Sequence, residues 1–242
     1  MYQKNSIYIL PGMKVSDIIL SNPYFMLMLE HFNIDLAVQE KTIEQICREK
    51  NIGIDIFLAF ANLYNGFNPT GPAEYSFNDI QTIIGFLRRD HQYYMEEKYP
   101  KILTYIKRMY EVNDKAEILM VESFFNEYFN EVREHLEYEN KVVFPYVISL
   151  YNQINSITDY DVLNSYSAAE YRDHHNNIEE KLIDLKNLLI KYLPQRNDQK
   201  IRRKLLFSLF ELDYDLSIHS QIEDSILIPL VEQMEDHLKQ KK

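Results

Sequence analysis

Tryptophan is absent, cysteine occurs once and glycine only five times in 242 residues. No stretch approaches the ~20 consecutive apolar residues that a bilayer-spanning helix needs. So few glycines leave little room for hairpin turns and bulges, which argues against an all-β fold. The lone Cys47 can form neither an intramolecular disulfide nor a thiolate metal cage, as befits a reducing compartment. Positive charge is also short: 26 Lys and Arg against 37 Asp and Glu give a net charge of −11. The resulting field repels a phosphate backbone, and the only basic run is the short Arg202-Arg203-Lys204 cluster, so nucleic acid is excluded as a partner. Residues 1–14 lack the charged start and apolar core of an export signal, and Pro11 breaks their one apolar stretch. These shortages together predict a soluble, cytoplasmic protein with no membrane partner.

What is abundant points to helices. The chain is 46% hydrophobic and 26% charged, enough for a packed core and too apolar for a disordered chain. Good helix formers dominate, and an all-α fold follows. Its 19 Tyr and 13 Phe are chiefly core filling. Gly66, Pro69, Gly71 and Pro72 cluster in one short segment, which places a boundary there: a small helical domain over 1–66, a linker over 67–76 and a main domain over 77–242. The small domain reads as helices near 15–32, 42–50 and 55–64, the last capped by Asp55. The main domain reads as four long amphipathic helices over about 78–110, 115–152, 160–192 and 198–238. Ser76 or Asn78 caps the first, and turn chemistry at Asn113-Asp114, 155–159 and 194–198 separates the others. Short connections make neighbours antiparallel, giving an up-down-up-down four-helix bundle.

An internal repeat carries the chemistry. His135-Leu136-Glu137-Tyr138-Glu139, followed by Asn140, an apolar run and Pro145, recurs 84 residues later as His219-Ser220-Gln221-Ile222-Glu223, followed by Asp224, an apolar run and Pro229. The same offset applied to His91 lands on His175. Counting along the helices gives 19 residues from His91 to the turn at Tyr110 and 20 from Lys115 to His135, so at ~1.5 Å rise per residue both imidazoles return to one level. The second helix pair repeats this with 19 residues from His175 to Pro194 and 21 from Asp198 to His219. Four histidines thus share one cross-section, with Glu139 and Glu223 one turn beyond theirs on the same helix face.

Four imidazoles and two carboxylates aimed inward are expensive to bury without compensation. A metal pair compensates them, and mixed imidazole and carboxylate ligation suits non-haem iron. A single His-x-x-x-Glu usually marks a solvated helix face or a local hydrogen bond, and His175 to Glu179 has that spacing without a counterpart, since Met95 follows His91. The doubled motif with matched Asn/Asp and Pro is the specific signal. His174 competes with His175 for the third-helix position, and both stay open on geometry. His31 and His237 read as surface or domain-contact residues. A ferritin-like oxidase would use Glu-x-x-His, and none of the seven histidines has Glu three residues before it. Pro145 and Pro229 are expected to kink or end their helices.

These residues resemble the hemerythrin-like domain of the repair-of-iron-centres family over about 77–240. The Asp-His setting of His91, the segment around His175 and the two His-x-x-x-Glu-to-Pro units carry the resemblance. It implies a hemerythrin-like bundle in which His91, His135, Glu139, His175, His219 and Glu223 bind two non-haem irons, oxo- or hydroxo-bridged. The N-terminal segment is similar to the family's small ScdA-type domain, with a plain departure. Ala37 and Val38 stand where paired cysteines are usual, and Gln39 and Glu40 replace glycines, so thiol chemistry attributed to that pair is not available here.

The resemblance implies repair of iron–sulfur clusters damaged by nitric oxide or oxidants, with damaged iron–sulfur proteins as clients, and an iron donor rather than a conventional enzyme. The rival expectation is a hemerythrin-like carrier or sensor of O₂ or NO, with the N-terminal domain as a docking or homodimerisation element. A metal-free helical scaffold would leave the repeated ligand set without a reason.

Overall fold

Proline and short polar side chains, more than apolar periodicity, decide where helices start and stop in this chain. The computed structural model describes residues 7–68, 75–157, 163, 166–174, 180–194 and 196–241. Among them it is all-helical, with no strand beyond one antiparallel bridge between Lys14 and Thr42. No helix among the described residues is long and apolar enough to cross a membrane.

The N-terminal segment forms α1 (Val15–Ser21), α2 (Phe25–His31), α3 (Ile43–Lys50) and α4 (Ile54–Tyr64). The single helix expected over 15–32 is therefore two. Asn22 precedes Pro23, and the proline ring pushes it out of the α region to φ −136°, ψ 96°. The freed Asn22 amide donates to the Tyr64 carbonyl at 2.7 Å, tying the break to α4. Thr42 and Gln45 cap α3 reciprocally. Gly53, not Asp55, caps α4; a Cβ on Gly53 would lie 2.5 Å from Asp79 Oδ1, so only glycine fits. Asp55 falls in the first turn, where its charge suits the helix dipole. Gln39 holds a left-handed φ of 53°, the conformation glycine adopts freely. The turn keeps a glycine shape without the glycine.

Ser76 and Asp79 form a reciprocal cap leading into α5 (Ile80–Gln92). Then follow α6 (Tyr99–Met109), α7 (Lys115–Tyr138), α8 (Phe144–Ile154), α9 (Ala168–His174), α10 (Glu180–Asn187), α11 (Gln199–Ile222) and α12 (Ile228–Gln240). Asp114 caps α7 by accepting from the Ala116 amide at 2.8 Å. The third long helix, expected from 160, starts at Ala168 instead. Ser167 Oγ accepts from the Glu170 amide at 3.2 Å and donates to the Glu170 carboxylate at 2.9 Å, a cap that fixes the start there.

Four wide π turns interrupt these helices: Tyr93–Lys98, Glu139–Val143, Leu188–Tyr192 and Glu223–Leu227. A proline follows each as the second residue beyond it: Pro100, Pro145, Pro194 and Pro229. Proline in an α-helix clashes with the carbonyl four residues back and offers no N–H to it. Those carbonyls belong to Glu96, Lys141, Ile190 and Ser225, each inside a π turn, and the wider turn moves them aside. Pro145 and Pro229 thus neither end nor sharply break their helices, contrary to expectation; the chain continues as α8 and α12.

The packing separates into two compact units. One comprises Met1–Arg89, Phe144–Asp173 and Ile218–Lys242. Its core is an aromatic cluster in which Phe86 of α5 meets Phe32 and Phe60, each with ring centroids 4.8 Å away, and the buried His31 edge-on at 5.3 Å. The N-terminal helices therefore share a core with the start of α5. His237 makes an edge contact with Phe77. The other unit comprises Asp90–Val143 and His174–Ser217. Tyr99, Phe125, Tyr128 and Phe129 stack within it, and Arg202 clasps Asp198 and the Leu189, Leu193 and Pro194 carbonyls.

Cys47 is buried on α3, and burial pushes its thiol up to about 12. Thiolate is then scarce at any pH below that value. Iodoacetamide at pH 8 is expected to leave the folded protein unmodified and to label it once denatured, read by intact mass; rapid labelling of the folded chain would show that the α3 region opens.

Candidate metal centre

Two carboxylates begin two π turns. Glu139 is the first residue of the turn after α7 and Glu223 the first of the turn after α11, and each has its histidine one helical turn back, His135 and His219. His91 lies near the end of α5. Single π turns favour functional positions because the extra residue re-aims side chains without ending the helix.

Glu139 is 1% exposed and has an imidazole on each oxygen: His135 Nε2 lies 3.1 Å from Oε1, and His91 Nε2 lies 3.3 Å from Oε2. Glu223 is fully buried, with His219 Nε2 3.5 Å from its Oε2. That separation is an electrostatic contact rather than a good hydrogen bond. The other oxygen, Oε1, accepts from the Tyr171 hydroxyl at 2.5 Å.

The ligand atoms of His91, Glu139 and His219 lie within 4.8 Å of one another, as do those of His135, Glu139 and Glu223. Each group could hold a metal ion, and Glu139 is common to both. The donor chemistry fits: carboxylate oxygens and imidazole nitrogens, all buried or nearly so, are the ligands of a borderline divalent or trivalent cation. Burying a carboxylate costs several kcal/mol even after relaxation, and a cation offsets that cost directly.

Five of the six residues expected from the sequence are thus placed at these groups. The sixth, His175, lies outside the described residues, as does Glu179; of His174 only the backbone, the last residue of α9, is described. Sequence reasoning missed Tyr171. Its signal was present, because Tyr171 stands one helical turn before His175. It also missed the acidic column Glu211, Asp215, His219, Glu223, spaced by four on α11. Lys98, 1% exposed, pairs with Glu211 at 2.6 Å, and the Tyr93 hydroxyl donates to the same carboxylate at 2.8 Å. Burial pushes the Lys98 ammonium down, offset in part by Glu211, and pushes the Tyr93 phenol up.

Comparison of the chain with protein-family models and with curated proteins finds no match.

A buried carboxylate kept for metal binding is a liability when no metal is bound, and replacing it by an apolar side chain of similar size should be neutral or stabilising. In metal-free protein, Glu139→Leu is expected to leave the melting temperature unchanged or raise it, measured by calorimetry. A fall of several degrees (~1–2 kcal/mol) would instead make Glu139 a structural ion-pair partner.

Proposed function

We propose that this chain is a non-haem di-iron protein of the repair-of-iron-centres type, with residues 77–242 forming an up-down-up-down four-helix bundle, acting in the cytoplasm on iron–sulfur clusters damaged by nitric oxide or oxidants. One observation carries the reading: a single buried carboxylate, Glu139, belongs to two His/Glu groups, each able to hold an ion. A carboxylate shared in this way is what a two-ion centre requires and a one-ion site does not. Nitrogen and oxygen donors without thiolate favour iron in open coordination over a structural zinc or a cluster.

In this reading His91, His135, His219 and, by the repeat offset, His175 hold the ions through imidazole nitrogen, and Glu139 and Glu223 are shared between them. Two irons, when bound, supply valence change and open positions for a diatomic ligand. The chain keeps water away from those positions: His91, Glu139, His219 and Glu223 are buried, and only the His135 side chain, 12% exposed, reaches toward solvent. Leu136, Val132 and Val143, all buried on the same helical run, add an apolar surround that strengthens every charge interaction at the ligands.

A second reading, a carrier or sensor of O₂ or NO, draws support from the thiol inventory. Cys47 is the only cysteine and is buried with its thiol pushed up, so the chain has no accessible thiolate with which to handle a client cluster.

The test is metal content and absorption of aerobically purified protein beside His135→Ala. About two irons per chain, with ligand-to-metal charge-transfer absorption lost in the variant, is the expected result, and Glu139→Ala and Glu223→Ala should each lower iron content. A folded protein that stays metal-free after anaerobic iron loading overturns the assignment. With iron present, restored activity of a damaged cluster enzyme supports repair, and reversible O₂ uptake by the reduced protein supports the carrier.

A further inference from the structure

The two buried carboxylates keep different company, and the difference outlasts metal binding. Glu139 has His91 on one oxygen and His135 on the other. Both imidazoles are ligands in the reading above, so loading the site turns their nitrogens from proton donors toward Glu139 into donors to the ion. Those two contacts are then surrendered. Glu223 accepts from Tyr171, a phenol on α9 that is 2% exposed and does not belong to the ligand set. Its O–H has no ion to serve and stays on Oε1.

We propose that Tyr171 is a positioning residue of the metal centre: its hydroxyl fixes Glu223 by one oxygen, so that any change of carboxylate binding mode during the iron cycle falls to Glu139. The proposal rests on the di-iron reading and deepens it. A short hydrogen bond from a neutral donor to a carboxylate is among the stronger ones. Held at Oε1, Glu223 cannot turn about its terminal torsion without giving that bond up, and in a buried site no water replaces it. The two carboxylates, identical in the repeat, therefore divide the work. Glu223 supplies a fixed oxygen beside His219, and Glu139, once its imidazoles are engaged, is the one free to swing.

A control lies elsewhere in the same unit. Tyr146 donates to Glu235 at 2.7 Å, and the Ala168 amide donates to the same oxygen at 2.7 Å. This too is a buried phenol on a carboxylate, but neither residue belongs to a ligand group. Tyr146→Phe therefore reports what loss of such a bond does to the fold alone.

The experiment loads full-length wild type, Tyr171→Phe and Tyr146→Phe with ferrous iron anaerobically, and follows stoichiometry, thermal stability and iron release to an excess of a ferrous chelator. Loss of an outer-shell partner typically weakens metal binding about 10–100-fold. Tyr171→Phe is expected to stay folded and to release iron at least ~10-fold faster, whereas Tyr146→Phe loses stability and releases iron at the wild-type rate. Equal release from wild type and Tyr171→Phe, or equal acceleration in both variants, overturns the positioning role while leaving the metal site standing. Absence of iron from wild type overturns the di-iron reading itself. If Tyr171→Phe fails to fold, 3-fluorotyrosine at position 171 keeps the ring and strengthens the donor; slower release is then expected, and unchanged release overturns the proposal.

Discussion

A carboxylate withdrawn from water must be answered by positive charge or by proton donors, and this chain withdraws two of them, Glu139 and Glu223. The helices supply the answer by spacing. His135 and His219 stand one turn before their glutamates, so the i to i+4 geometry of a single helix brings each imidazole to its carboxylate whatever the rest of the fold does. Donors from elsewhere complete each set: His91 from α5 for Glu139, and Tyr171 from α9 for Glu223. The local pair is thus encoded in five consecutive residues, and the rest depends on where other helices begin and end.

The N-terminal helices show a different kind of economy. Where the resemblance places two cysteines and two glycines, the chain has Ala37, Val38, Gln39 and Glu40. Val38 is buried, and Gln39 keeps the left-handed backbone that a glycine would have taken without strain. The loop's shape is preserved and its sulfur chemistry is gone. Whatever this segment does, it does by packing: His31, Phe32 and Phe60 close over Phe86 of α5, a helix that carries His91 five residues further on.

Legibility followed the range of the forces involved. The repeated His-x-x-x-Glu unit, the all-helical class and the caps at Ser76 and Asp114 depend on residues within a turn of one another, and the sequence displays them directly. Helix limits were less visible. The Asn22-Pro23 break and the Ser167-Glu170 cap are equally local, but each lies inside or beside an apolar pattern that reads as continuous, and the pattern was given more weight than the punctuation. Tyr171 was hidden for another reason. A tyrosine at helical spacing is usually core, and only the three-dimensional placement of its hydroxyl against Glu223 separates it from the eighteen others. The prolines were seen but misjudged, because a clash four residues back can be relieved by widening one turn as well as by ending a helix.

That relief has a consequence for how the chain tolerates change. A π turn holds one residue more than the α turn it replaces, so deleting a single residue there would ordinarily let the helix close up and continue in phase. Here the proline two residues on forbids closure, since an α turn would drive the carbonyl back into its ring. Each of the four prolines acts as a ratchet on helix length, admitting the extra residue and resisting its loss. At two of the four sites the residue that opens the guarded turn is the buried glutamate itself, so the direction in which Glu139 and Glu223 point is held by heritable spacing as well as by contact.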